Sequence, residues 1–285
     1  MSLRNDEAGQ APFPAGGPRL AAPRRPLGSL YSGNVRAVVG RGLKATWGSN
    51  WAVMASGFVE PVLYLIAMGI GLGSLVGTVE GPGGTEISYI AYIAPALLAV
   101  SAMNGAVYDS TWNVFFKLNF AKLYQGMLNT SLGPLDVALG EITLALLRGA
   151  LYATGFTAVM GIMGLLTTPW ALLMIPASVL IAFGFASFGM GITSFMKTFQ
   201  QMDWINFLML PMFLFSATFY PLSVYPEPIQ WLVQAMPLWH GVELLRQISA
   251  GAFTAATGIH VLYYVLMIGL GLVLTTGRLR TLFLK

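Results

Sequence analysis

The chain contains no cysteine, which excludes disulfide bonds, thiolate nucleophiles and thiolate metal sites. Charged residues are also scarce: they make up 9% of the 285 residues, whereas about 25% is typical of a soluble domain. No G-x-x-x-x-G-K-S/T phosphate loop occurs, so the chain itself does not bind and hydrolyse ATP in that manner. Only two histidines are present. These absences argue against an enzyme that works through a thiolate, a histidine cluster or a phosphate loop.

Hydrophobic residues make up 56% of the chain, and the mean hydropathy is +0.70. This composition indicates an integral membrane protein. Six apolar runs are close to the ~20 residues that cross a bilayer as a helix. They are Trp51–Val76, Ile87–Tyr108, Val137–Leu166, Trp170–Met196, Trp204–Tyr220 and Ile259–Thr276. The predicted fold class is therefore an all-α integral membrane protein, with six transmembrane helices over residues 51–285.

Two different segments precede the first span. Residues 1–29 are rich in Pro, Gly and Ala and contain several arginines, a composition that predicts a disordered, cytoplasmic tail. Residues 30–50 interleave apolar side chains with Arg36, Arg41 and Lys44. This pattern is typical of an amphipathic helix that lies in the membrane interface. A charged lead-in to the first span is the alternative.

The distribution of Lys and Arg predicts the orientation. Thirteen of the 15 lie in the amino-terminal segment, in the loops after spans two and four, and at the carboxyl end. Of the other two, Arg246 falls on the opposite side and Arg148 lies inside span three. By the positive-inside rule, we expect a multi-pass protein of the plasma (inner) membrane with both termini cytoplasmic. The net charge of +4 does not indicate a nucleic-acid partner.

The largest inner loop covers residues 110–134 and mixes aromatic residues, amides and two lysines. We expect a short helix around Val114–Met127, too short to span. Its mixed surface suits docking to a soluble partner. An interfacial helix that touches only lipid headgroups is the alternative.

Prolines divide the segment before the last span. Pro221, Pro226, Pro228 and Pro237 each remove a backbone donor and disfavour helix at the preceding residue. Two short apolar helices remain, and each carries a tryptophan. Residues 221–250 therefore predict a re-entrant helical hairpin on the outer side, since irregular backbone is tolerated at membrane depth only when it is buried in protein or lines a cavity. A surface loop is the alternative.

Ionisable residues inside spans are costly and usually functional. Glu60 lies about 13 Å into span one and precedes Pro61, which should kink the helix. We expect Glu60 to face the bundle interior, where it would pair with another span, line a conduit or be protonated. Glu141 and Arg148 share a helix face in span three but are too far apart to touch. Each is therefore expected to meet another segment.

Two further groups of polar residues lie in the outer hairpin. Glu243 and Arg246 are three residues apart and predict an ion pair on one helix. His240 and Glu243 have a spacing that could place two metal ligands on one face. No third ligand is nearby, so a hydrogen-bonded histidine at the interface is favoured.

The chain resembles the type-2 ABC exporter permeases. The closest likeness is to the branch that exports nodulation lipo-oligosaccharides, with daunorubicin-type drug exporters nearby. The resemblance covers most of the chain after the tail. Three segments carry it: Glu60–Pro61 followed by Gly69, Gly71 and Gly73; Tyr124–Ile142; and Phe215–Gln247. One departure is Ala217, where the family often has glycine.

The resemblance implies a permease that forms a homodimer, or a heterodimer with a related permease, and binds two separate ABC ATPase subunits. ATP and Mg would be bound by those subunits, with no cofactor in this chain. The amino-terminal interfacial helix would approach the ATPase. The inner loop would hold the coupling helix, whose candidate contacts are Lys117, Asn119, Phe120, Tyr124, Gln125 and Met127. The hairpin would close the outer end of a conduit whose candidate residues are Glu60, Tyr64, Met68, Phe213, Phe219 and Tyr220.

Apolar and aromatic residues with few fixed charges suit an amphipathic, lipid-linked or hydrophobic cargo, such as a glycolipid, lipo-oligosaccharide, polysaccharide or drug. Two other classes remain open at this point. An ion-coupled secondary transporter would show inverted repeats and several midplane carboxylates, of which Glu60 is the one good candidate. A membrane-embedded transferase would need clustered acidic or histidine residues, and these are sparse.

Overall fold

The structure, a computed structural model, describes residues 31–47 and 51–283, and for residues 46, 47, 51–58 and 283 it describes the backbone only. The tail predicted for residues 1–29 lies outside this part of the chain. The first elements are α1 (Val35–Trp47), α2 (Trp51–Gly71), α3 (Gly73–Val76), β1 (Thr78–Glu80), β2 (Glu86–Ser88) and α4 (Tyr89–Tyr108). They are followed by α5 (Leu123–Leu128), α6 (Pro134–Ile162), α7 (Met174–Thr193), α8 (Phe199–Phe215), α9 (Glu227–Ala235), α10 (Pro237–Ala250) and α11 (Ala255–Phe283).

The protein is mostly helical, and the predicted all-α membrane class is confirmed. Within the described residues, five helical segments are long and apolar enough to cross a membrane: Val59–Val76, Tyr89–Phe120, Pro134–Ile162, Pro169–Thr193 and Ala255–Leu282. The predicted fifth span corresponds to α8, which has 17 residues. At 1.5 Å per residue it is about 25 Å long, less than the ~30 Å of a bilayer core.

The core of the bundle is formed by α4 and α7, which pack on each other and on α6. α11 packs against α7 along its length, and this contact depends on glycine. A Cβ built on Gly271 would lie 2.5 Å from the backbone carbon of Ser187. Small residues allow two helix backbones to approach this closely, as is common between membrane helices.

Helix α1 lies against α6, and small residues on both helices set their distance. A Cβ built on Gly140 would meet the side chain of Val38, and one built on Gly42 would meet that of Leu144. Helix α1 is therefore docked on the bundle and is not simply a charged lead-in to the first span.

The prediction of a single inner helix over Val114–Met127 is wrong. In place of that helix, α4 continues through two π-helical turns, Asp109–Asn113 and Phe116–Phe120, and the chain breaks before α5. Lys122 stands at this break with a left-handed φ of 48°. The break separates the residues that extend α4 from the six residues of α5.

The connection after span one and the connection after α8 have different structures. The turn-rich link after span one forms an antiparallel hairpin, in which Val79 pairs with Ile87. Its turn is made by Gly83 and Gly84, which both have positive φ, at 79° and 74°. After α8 the chain bends through Ser216–Tyr220 and enters the short helices α9 and α10. Helix α10 packs on α4, α7 and α11, so this half of the Pro-rich segment is part of the bundle, whereas α9 is largely exposed.

Candidate conduit and coupling sites

A groove of about 300 Å³ opens on the side of the bundle between α2, α4 and α8. Glu60 and Pro61 form part of one wall, together with Tyr64 from the next turn of α2. Phe213 of α8 closes the opposite side, and its ring centroid lies 6.0 Å from that of Tyr64 in an edge-on contact. The carboxylate of Glu60 is exposed within the single chain. The expectation that it faces the bundle interior is therefore replaced by an open, lateral position.

The groove contains two amides that the sequence reasoning missed, Asn104 on α4 and Asn206 on α8. Their signal was available, because each is an isolated amide inside an otherwise apolar run. With Glu60 they give three polar groups to a mainly apolar groove. This combination is usual in sites that bind amphipathic molecules, where a few polar groups fix the orientation of the ligand.

The remaining predicted conduit residues lie in different parts of the molecule. Phe219 lies 5.2 Å from Phe213, so it extends the aromatic wall that begins at Tyr64. Met68 is half-buried against the core. Tyr220 instead contacts Tyr225 in the outer hairpin, with ring centroids 5.1 Å apart.

A cluster of charges joins three segments at the end of the bundle where α1 lies. Glu141 of α6 accepts from Lys117 at 2.5 Å and from Arg41 of α1 at 3.4 Å. Two turns further along α6, Arg148 forms an ion pair with Asp109 at 2.6 Å. Glu141 and Arg148 thus each meet another segment, and neither contacts the other. The two α6 charges connect α1 and the extension of α4 to the same span.

Asp136 has a structural role that the sequence reasoning missed. This fully buried carboxylate accepts from the backbone of Ser32 at 2.7 Å, Asn34 at 3.0 Å and Gly133 at 2.9 Å. It therefore fastens the start of α1 to the start of α6. The signal in the sequence was the run Gly133-Pro134-Leu135-Asp136, in which proline opens a helix and an acidic residue follows in its first turn.

The candidate coupling residues differ in accessibility. Asn119, Phe120 and Gln125 are exposed, whereas Lys117 is occupied by Glu141. Tyr124 and Met127 are buried, so their side chains are not available to a partner in this conformation. Burial raises the pKa of Tyr124 well above that of a free tyrosine, and the side chain stays neutral.

Arg246 joins the bend after α8 to the helices on either side of it. Its side chain is only 3% exposed. It contacts Glu243 at 3.0 Å, and its remaining donors reach the backbone oxygens of Ala217 at 2.7 Å, Thr218 at 3.0 Å and Tyr92 at 3.3 Å. The guanidinium also lies 3.8 Å from the ring centroid of Tyr92. Arg246 therefore ties the bend after α8 to α4 and α10.

The two histidines, separated by 20 residues, meet between α10 and α11. The Nδ1 atoms of His240 and His260 are 2.8 Å apart, and the ring of Tyr263 stacks on His240 with centroids 4.0 Å apart. Burial and the neighbouring His260 lower the pKa of His240 to about 4, so this ring is neutral at pH 7. Among the described residues, no group of three or more His, Asp or Glu residues could hold a metal ion.

Five long apolar helical segments among the described residues, with α1 docked on them, define a multi-pass membrane protein with a lateral groove. The ABC-2 type transporter family matches residues 33–250. Similar proteins include Nodulation protein J of Rhizobium meliloti (strain 1021), which is 27% identical over 76% of this chain and 84% of the relative. Nodulation protein J of Sinorhizobium fredii (strain NBRC 101917 / NGR234) is 32% identical over 71% of this chain and 79% of the relative. That of Rhizobium leguminosarum bv. trifolii is 29% identical over 85% and 94%.

The chain therefore belongs to the ABC-2 type transporter family. It is a multi-pass protein of the inner membrane and a transporter subunit, not an enzyme.

Proposed function

We propose that the chain is the permease subunit of an ATP-driven exporter that moves an amphipathic, lipid-linked or hydrophobic cargo out of the cytoplasm. ATP would be hydrolysed by two separate ABC ATPase subunits. Family membership supports the class, and the observation that carries the route of transport is the groove at Glu60. A single carboxylate with two amides against aromatic side chains matches a cargo with one polar end and one apolar end.

The exposure of Glu60 supports a dimer, either a homodimer or one with a related permease. Around it, Val59, Leu63 and Ile66 are also exposed, so the carboxylate lies on an apolar face. A charge directed at lipid costs several kcal/mol or more. A second chain covering this face would remove the groove from lipid and enclose a conduit between the two subunits.

The charge cluster at the α1 end supports the coupling step. Closure of the ATPases would push the exposed surface of Asn119, Phe120, Lys122 and Gln125. Glu141 would pass this movement to α6 and α1, because it pairs with Lys117 and Arg41 together. In this scheme both termini are cytoplasmic, α8 provides a sixth, short crossing, and α9 and α10 close the outer end.

Purification of the full chain from its host in mild detergent tests the proposed function. We expect an ABC ATPase to co-purify with this chain, in a 1:1 ratio for a homodimer and in a 2:1 ratio when a related permease supplies the other half of the dimer. Purification without any ATPase, together with cargo movement that follows an ion gradient, would indicate a secondary transporter. Turnover of a membrane-bound substrate would indicate a transferase.

The absence of cysteine allows a second test, for the dimer. A single cysteine at Leu63→Cys, on the exposed face beside Glu60, should cross-link two chains under mild oxidation. The control is Leu266→Cys on α11, because the two leucines are similarly exposed, at 59% and 65%. Equal cross-linking at both positions would contradict a dimer through the α2 face.

A further inference from the structure

A second cavity, of about 280 Å³, lies between α1, the extension of α4 and α6. Its polar lining consists of Arg41, Asp109, Asn113, Lys117, Glu141 and Arg148. It is separate from the groove at Glu60, and no residue lines both. Three cations face two carboxylates here, so one positive charge is left without a compensating partner among the lining residues.

The excess charge is located at Arg41. Glu141 is shared, and its shorter contact is with Lys117, so Arg41 is left with one contact at 3.4 Å. The Nε atom of Arg41 is buried and has no hydrogen-bond partner among the residues that the structure describes. A guanidinium has five donors in a planar fork that matches the oxygens of a phosphate. Arg41 therefore combines one long carboxylate contact with a buried N–H that lacks an acceptor within the described part of the chain.

The rim of the same cavity is apolar. Leu43 of α1 and Leu147 and Leu151 of α6 line it, and all three side chains are exposed. Leu147 and Leu151 are four residues apart, so they form a continuous stripe along α6 that leads away from the charges. A cationic site that continues into an apolar stripe is complementary to a phospholipid, whose headgroup carries a phosphate and whose acyl chains are apolar.

We propose that this cavity binds the phosphate of an anionic lipid, with Arg41 as the main contact and an acyl chain lying along Leu147 and Leu151. Basic pockets between helices at a membrane surface bind lipid headgroups in this way. A bound lipid would occupy the space between α1 and α6 and so hold the interfacial helix in place. The proposal needs neither the ATPase nor the cargo route, so it can fail while the proposed function stands.

Thermal unfolding of the full chain in neutral detergent tests the proposal, with added phosphatidylglycerol, phosphatidylcholine or inorganic phosphate. We expect phosphatidylglycerol to raise the apparent Tm by several degrees more than phosphatidylcholine does. Arg41→Gln should remove at least half of that difference. Arg36→Gln is the matched control, because Arg36 is an exposed arginine of α1 that does not line the cavity.

A second readout covers the case in which Arg41→Gln does not fold. Arg41→Lys keeps the charge but loses the planar fork, and it should co-purify with less phosphatidylglycerol per chain, as measured by mass spectrometry. Equal effects at Arg36 and Arg41 would show general attraction to the surface and overturn the site. Stabilisation by inorganic phosphate that matches the lipid would overturn the acyl track and leave a simple phosphate site.

Discussion

At the scale of single residues, Ala217 has an unusual backbone for alanine, with φ at 54°. The left-handed conformation costs an L-residue with a Cβ roughly 1–2 kcal/mol, and glycine adopts it freely. Ala217→Gly should therefore raise the stability of the protein by about 1 kcal/mol. Thermal unfolding in detergent measures this as a higher apparent Tm.

The control for this change is Ala158→Gly, on the exposed face of α6. There the same substitution lies inside a helix and should lower stability by about 1 kcal/mol. A lower Tm for Ala217→Gly as well would show that the bend does not depend on the left-handed residue. The sequence indicated this position through its departure from the family's glycine, but the strain became visible only in the backbone.

Arg246 is the residue with the largest predicted effect. Arg246→Gln would leave three backbone oxygens and Glu243 without their donor in a buried site, which should cost about 3 kcal/mol or more. Arg280→Gln removes an exposed arginine near the end of α11 and should change stability little. Comparison of the two melting temperatures gives the result, and similar values would contradict the role of Arg246 as the tie of the hairpin.

His240 predicts a pH dependence. Its pKa is about 4 in the folded protein, below the ordinary value of 6.5. The unfolded chain therefore takes up the proton first, and stability is lost as the pH falls from 6.5 towards 4. The groups that face His240 are His260 and Tyr263, with Trp239 beside both rings. Melting temperatures across this range should fall less steeply for His240→Gln than for the natural chain, whereas parallel curves would contradict the assignment.

At the scale of elements, the contact between α7 and α11 predicts a sharp difference between two glycines of one helix. Gly271→Ala would place a methyl group against the backbone at Ser187, and this overpacking should cost about 1–3 kcal/mol. Gly269→Ala meets no atom within 4 Å and should be neutral or stabilising by up to about 1 kcal/mol, because alanine is the better helix former. Unfolding of both variants in detergent measures the difference, and equal stabilities would contradict the close helix crossing.

Apolar run lengths predicted the long helices well, because a bilayer imposes their length. They failed at two places where local contacts decide the structure. Helix α8 ends at Phe215, since the next residues bend towards Arg246. The inner segment breaks at Lys122, and α4 continues through π-helical turns, neither of which has a simple periodic signal. The pairing of His240 with His260 joins residues that only the fold brings together.

At the scale of the whole molecule, the single chain leaves a polar groove open on an apolar face. The ion pairs of Glu141 connect the segments nearest the proposed ATPase with a span of the bundle. Family membership, the Glu60 groove and this charge cluster support one account, in which movement at one end of the bundle opens a conduit between two subunits. The sequence indicated the class and several of the residues. Asn104, Asn206 and Asp136 also have a signal in the sequence, but the place of the two amides in the groove and the contacts of Asp136 became visible only in the structure.

ATP hydrolysis on the partner subunit is proposed to drive the movement of the bundle through the exposed residues on either side of Lys122. The most direct test of this coupling is the ATPase rate of the reconstituted complex with the double variant Phe120→Ala, Gln125→Ala. The control is Leu266→Ala on α11, since Phe120 and Leu266 are comparably exposed, at 64% and 65%. The double variant should lose most of the stimulated ATPase rate while the control keeps it, and an unchanged rate in the double variant would show that this surface does not transmit the movement.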